Sequence, residues 1–147
     1  MPMNTKGVAE ILEECAKITG NGSREKKIAF LHANSHAAIK AVLGFCYDPK
    51  IKWMLPEGEP PYTPAGDEED IHSTLYNDYR KLHIFVESVE YHKLPAVKRE
   101  TLFIEFLESL HPSDAKLILA VKESTLPWKG ITKKLVQEAF PGISKDW

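Results

Sequence analysis

The chain has 147 residues, of which 43% are hydrophobic and 27% are charged, which is enough apolar material for one sizeable buried core, so no second domain is needed. Nineteen Lys and Arg residues against twenty-one Asp and Glu residues give a net charge of −2, so the molecule as a whole is not drawn to nucleic acid. No apolar stretch approaches the ~20 residues of a membrane span, which excludes a membrane partner. We expect one soluble domain over residues 1–147, with any DNA contact confined to a local patch.

The two cysteines, Cys15 and Cys46, lie among apolar neighbours at helical spacing. The first residues of the sequence lack the apolar segment of a signal peptide. Both features favour a reduced, cytoplasmic protein, in the host cytoplasm if it is phage-encoded, with buried thiols rather than a disulfide.

Apolar residues recur three and four positions apart rather than two, which predicts an all-α fold of about six to seven helices. Gly20 to Gly22 end the first helix, and Ser23 is the predicted cap of the second. Ser35 is the predicted cap of the third helix, which Asp48 and Pro49 close.

Residues 49–68 are rich in proline and glycine and cannot continue a helix, yet they carry several apolar side chains. We expect an ordered Pro-rich loop packed on the helices. A long helix from about Glu68 to Ser88 is predicted next, with acids in its first turn. Another helix follows from about Val97 to Leu110, and a turn at residues 111–114 leads into the sixth.

Residues 117–147 form a helix-turn-helix unit around Gly130. The predicted last helix starts at Ile131 and has Thr132, Lys133 and Lys134 in its first turn. Free backbone N–H groups and cations at a helix start suit an anion, so this unit is a candidate phosphate contact.

Catalytic motifs are absent from the sequence: it has no Gly-rich phosphate loop, Walker lysine, paired Cys-x-x-Cys motif or nucleophile elbow. His32 and His36 have metal-ligand spacing, but a helix boundary between them and the lack of a third ligand argue against zinc. We therefore predict no enzyme activity, no catalytic residues, no metal, no cofactor and no small-molecule substrate.

Two groups of cations open helices. Arg24, Lys26 and Lys27 begin the second helix, and Lys129, Lys133 and Lys134 begin the last, while Lys116 and Lys122 lie on the helix before it. Such groups can bind phosphates without reading sequence and with strong salt dependence. On composition alone, a solvated surface balanced by Glu25, Glu123 and Glu138 is the favoured alternative.

Residues 8–18, 24–31 and 41–49 resemble the start of the N-terminal DNA-binding domain of ATP-dependent DNA ligases, most closely the compact form in phage ligases. The strongest similarity lies in residues 117–122, the loop ending at Gly130, and residues 131–143. The arginine with which that family ends its helix is not matched in Lys122 to Leu126. The Lys-x-Asp-Gly motif of the nucleotidyltransferase domain is also absent, so we expect no ligation.

The resemblance implies a stand-alone relative of that domain, such as a small protein of a tailed phage or cyanophage, accessory to DNA replication or repair. It favours duplex-DNA backbone binding, with contacts from Lys129, Gly130, Thr132, Lys133, Lys134, Arg24, Lys26 and Lys27. The alternative is a protein-interaction module that binds a host or phage replication or transcription protein and no DNA. Its candidate contacts are the apolar and aromatic groups of the Pro-rich loop, namely Trp53, Met54, Leu55 and Tyr62.

Overall fold

Helices form nearly all the regular structure in the computed structural model, which describes residues 6–66 and 72–143. Within these residues there are seven α-helices and one 3₁₀ segment, Tyr79–Phe85, and no strand beyond a single bridge between Trp53 and Val86. The α-helices are α1 Val8–Ala16, α2 Ser23–Ala33, α3 Ala37–Tyr47, α4 His72–Asp78, α5 Ala96–Ser109, α6 Pro112–Lys122 and α7 Lys133–Ala139. The all-α prediction is confirmed.

The core lies between α1, α3 and α6, which present the fully buried side chains Leu12, Leu43 and Ile118. Helix α4 packs on α1 and α3, α5 packs on α6 and the 3₁₀ segment, and α2 packs on α1 and α7. The Asp114 carboxylate in the first turn of α6 accepts a hydrogen bond from the Ala9 N–H at 2.9 Å, which ties the starts of α6 and α1 together. The predicted apolar stripes therefore meet in one core.

Two predicted helix caps are wrong. Gly22, with a positive φ of 71°, precedes α2, and Ser23 is the first residue of that helix. His36 rather than Ser35 caps α3, because its Nδ1 accepts a hydrogen bond from the Ala38 N–H at 2.9 Å. A neutral imidazole nitrogen performs here the role that a hydroxyl or carboxylate oxygen usually performs.

The prediction of one long helix from Glu68 to Ser88 is also wrong for its second half. Glu68 itself lies outside the described residues. Helix α4 ends at Asp78, the chain tightens into the 3₁₀ segment, and Val86 is extended. The Met54 N–H donates to the Phe85 carbonyl at 2.9 Å, so pairing with the Pro-rich loop replaces helical hydrogen bonds. A contact distant in sequence overrides the local helical pattern.

The Pro-rich loop is ordered over its described part, residues 49–66, as the sequence predicts. Its half-buried side chains pack against the core, namely Ile51, Trp53, Leu55 and Tyr62. Helix α5 also holds it, because the Thr63 N–H donates to the Glu108 carboxylate at 2.8 Å. The loop is therefore part of the packed structure.

Both cysteines are free and buried, in agreement with the sequence. Burial raises the pKa of Cys15 to about 11, although Lys27 opposes the shift, and raises the pKa of Cys46 to about 12. Among the described residues no helix has the length and apolar character needed to cross a membrane.

Candidate nucleic-acid interface

The two predicted groups of cations lie on neighbouring helices, because α2 packs directly on α7. The Lys27 ammonium donates to the Gly130 carbonyl at 2.7 Å, and the Arg24 guanidinium forms an ion pair with Glu138 of α7. Residues more than a hundred positions apart in the sequence therefore meet on one surface. We call this the α2–α7 surface and define its cations as Arg24, Lys26, Lys27, Lys129, Lys133 and Lys134.

The structure separates these cations into two kinds. Lys27 is half-buried and holds the Gly130 carbonyl, and Arg24 is engaged by Glu138, so both contribute to the packing of α2 on α7. The remaining four are exposed and form no ion pair with any residue that the structure describes: Lys26, Lys129, Lys133 and Lys134. These four lysines are the cations available to a ligand.

Gly130 has a packing role in addition to the phosphate contact that the sequence predicts. A Cβ atom at this position would overlap the Ala16 carbonyl oxygen at the end of α1 and would lie 2.8 Å from the Ala16 Cα. The loop before α7 therefore crosses α1 backbone to backbone. The glycine is required for this close approach, whether or not a phosphate binds nearby.

Helix α7 starts two residues later than the sequence predicts. Ile131 is buried, and Thr132 is the N-cap, whose Oγ1 accepts a hydrogen bond from the Leu135 N–H at 3.2 Å. The Thr132 hydroxyl is therefore already engaged. Lys133 and Lys134 occupy the first turn, where the helix dipole disfavours cations, and they have no acidic partner within the described structure to offset this cost. Their positions do not stabilise the helix.

Helix α2 is a peripheral helix. Leu31 is its one buried residue, and Ile28 and Phe30 are half-buried. Most of its side chains face solvent, which leaves Lys26 and its neighbours accessible. The arrangement gives a surface that can bind an extended anion through several point charges.

Lys122, which the sequence groups with the cations near the last helix, is buried and not available to a ligand. Its side chain is 3% exposed, and its ammonium donates to the Pro56 carbonyl at 3.0 Å and to the Glu123 carboxylate at 2.5 Å. It anchors the Pro-rich loop to the end of α6. Lys116 on the same helix is exposed.

The four candidate protein contacts of the Pro-rich loop do not form one exposed patch. Trp53 packs against Phe45 with 6.1 Å between ring centroids, and its Nε1 is buried with no hydrogen-bond partner among the described residues. Tyr62 is half-buried, whereas Met54 is 41% exposed. Leu55 lines a cavity of about 230 Å³ between the loop and α5. Sequence reasoning missed this cavity, because its walls come from segments far apart in the chain.

The histidines at metal-ligand spacing are both bound to backbone groups. His32 Nε2 lies 2.7 Å from the Ala139 carbonyl, and His36 Nδ1 caps α3. No group of three or more His, Cys, Asp or Glu side chains suited to a metal ion occurs within residues 6–66 and 72–143.

Comparison with curated proteins and with solved structures gave no significant match. A family model, described as "Family of unknown function (DUF6433)", matches residues 12–127. The matched residues run from the middle of α1 to the loop after α6 and include α2 and the Pro-rich loop, and they stop before α7. The match spans more than half of the sequence, and the chain belongs to this family.

Proposed function

We propose that this protein binds the sugar–phosphate backbone of duplex DNA through the α2–α7 surface. The observation that carries the proposal is the packing of α2 on α7, which places the helix that carries Lys26 against the segment that carries three further exposed lysines, Lys129, Lys133 and Lys134. A duplex presents its phosphates in rows, and separate lysines on two adjoining helices can contact several of them at once.

The first-turn lysines of α7 give the proposal further support. Two cations at a helix start cost about 0.3–1 kcal/mol each at low ionic strength, and an anion placed against them would reverse the sign of that contribution. Lys133 and Lys134 are exposed, so a ligand can reach them. A phosphate ligand would offset the cost of placing Lys133 and Lys134 at this helix start.

The contacts would be to phosphates rather than to base edges. Lysine is a point charge on a flexible stem and reads bases less specifically than the planar guanidinium of arginine, and the one arginine on this surface, Arg24, is already paired with Glu138. We therefore expect little sequence preference. The resemblance to ligase DNA-binding domains adds the hypothesis that the protein is accessory to DNA replication or repair.

The proposal can be tested by binding to a fluorescently labelled duplex at low salt. Lys133→Glu with Lys134→Glu should weaken binding by about tenfold or more, because two phosphate contacts become two repulsions. The matched control is Lys93→Glu with Lys98→Glu, an equal charge change at exposed lysines on α5 and the turn before it. Equal losses in the two double variants, or no binding by the unaltered protein, would refute the proposal.

A further inference from the structure

The cavity between the Pro-rich loop and α5 has walls that are largely apolar, from Leu55, Pro56, Pro60 and Pro61 of the loop and Phe103 and Ile104 of α5. Its volume is about 230 Å³. Cofactor and drug-sized ligand sites usually occupy ~300–1,000 Å³. This cavity by itself is therefore of a size for one apolar side chain of a partner.

Acidic side chains surround the cavity. Glu57 and Glu100 line it, and Glu57 is shared with an adjoining cavity that Glu59 and Glu123 also line. Lys122 is the one cation in either lining, and Glu123 already neutralises it. Within the described structure, Glu57, Glu59 and Glu100 form no ion pair, so their charges are free to attract a cationic partner. We call the two adjoining cavities, together with Glu57, Glu59 and Glu100, the acidic groove.

The acidic groove is held in shape before any partner arrives. The Lys122 ammonium holds the Pro56 carbonyl at 3.0 Å, and the Gly58 N–H donates to the Glu123 carboxylate at 3.3 Å. The hydrogen bond from Lys122 keeps the pKa of Glu123 below its usual value, so this carboxylate stays ionised near neutral pH. A preformed site loses little conformational entropy on binding.

We propose that the acidic groove binds a basic segment of a partner protein. One apolar side chain of that segment enters the cavity, and its Lys or Arg residues lie against Glu57, Glu59 and Glu100. An apolar anchor within a charged rim is the arrangement that gives protein interfaces their affinity and their selectivity. The site uses elements other than α2 and α7, so it does not depend on DNA binding.

Selection from a random peptide library against the folded full chain tests this proposal. We expect the recovered peptides to combine one large apolar residue with flanking Lys or Arg. Binding of a recovered peptide should weaken about fivefold to tenfold with Glu100→Lys, which reverses a charge of the rim. Glu105→Lys is the matched control, because Glu105 is exposed on the same helix and lies outside both linings.

A second variant, Ile104→Trp, fills the cavity and should weaken binding while circular dichroism shows the fold retained. If it does not fold, Glu100→Lys decides alone. Recovery of no peptide above background, recovery of acidic peptides, or equal affinity for Glu100→Lys and Glu105→Lys would overturn the proposal. Concentration-dependent self-association that Ile104→Trp abolishes would also overturn it, because a second copy of the chain would then be the occupant.

Discussion

Gly130 lies where the loop before α7 crosses the end of α1, with no room for a side chain between the two backbones. Its carbonyl also accepts the hydrogen bond from Lys27 of α2. One residue therefore fixes α7 against both α1 and α2. The sequence indicated that Gly130 matters, but it could not show that the reason is a contact with Ala16, because that contact depends on the folded arrangement.

Gly130→Ala should lower the free energy of unfolding by about 1–3 kcal/mol, because the added Cβ would force α7 away from α1. Gly142→Ala is the control, since a Cβ there meets nothing within 4 Å and should change stability by less than about 0.5 kcal/mol. Chemical unfolding of the two variants measures both values. A similar loss in each would contradict the assignment of the effect to overlap with Ala16.

The buried thiols make stability depend on pH in the alkaline range. A cysteine thiol in the unfolded chain has a pKa near 9.0, whereas burial in the fold raises the pKa of Cys15 to about 11 and that of Cys46 to about 12. Above pH 9 the unfolded state loses these protons first, so the free energy of unfolding should fall as the pH rises from 9 toward 12. Below pH 9 the thiols do not make the free energy of unfolding depend on pH.

Urea unfolding across this pH range measures the effect. The comparison variant is Cys15→Ala with Cys46→Ala, which should show a shallower fall than the unaltered chain. Tyr76, whose pKa burial raises to about 12, adds to the slope in both proteins. An identical pH dependence in the two would contradict the assignment of the slope to the thiols.

Helix α3 starts at an imidazole cap. The sequence predicts the position of this helix but not the residue that caps it. The sequence placed the helix correctly, because the apolar spacing of Ile39, Val42 and Leu43 is a local property. It chose the wrong cap, because serine is the commoner cap and the two residues are adjacent. The choice of His36 fits its packing against Tyr76, with 4.7 Å between ring centroids.

His36→Ala should cost about 1 kcal/mol of stability, because the Ala38 N–H loses its acceptor. His36→Asn should recover part of the loss, since its side-chain oxygen can accept the same hydrogen bond. Ser35→Ala should have almost no effect, although Ser35 is the cap that the sequence predicts. Thermal unfolding of the three variants measures these changes in stability. A larger loss for Ser35→Ala than for His36→Ala would contradict the cap assignment.

The predicted helix from Glu68 to Ser88 shows why other parts of the fold could not be read from the sequence. Its apolar residues Leu75, Leu82 and Phe85 are buried, as the helical spacing predicts. The chain nevertheless leaves the helix at Asp78, and Val86 then pairs with Trp53 of the Pro-rich loop. Burial follows from local spacing, but the end of the helix depends on a partner more than thirty residues earlier in the sequence.

At the scale of the whole molecule, a net charge of −2 includes two separate groups of charged side chains of opposite sign. The exposed lysines of the α2–α7 surface form one, and the glutamates of the acidic groove form the other. The sequence made these lysines candidate phosphate contacts, because they cluster at or near predicted helix starts. It could not show that α2 and α7 are neighbours, or that Lys122 is buried.

The most direct test of DNA binding by the α2–α7 surface is the salt dependence of duplex affinity, measured by fluorescence anisotropy. Four phosphate contacts, from Lys26, Lys129, Lys133 and Lys134, predict a slope of about −3 to −4 for the logarithm of the association constant against that of salt concentration. Removing two of them with Lys133→Glu and Lys134→Glu predicts a slope near −2, with little change for Lys93→Glu and Lys98→Glu. No binding at low salt, or one slope for all three proteins, would contradict the account.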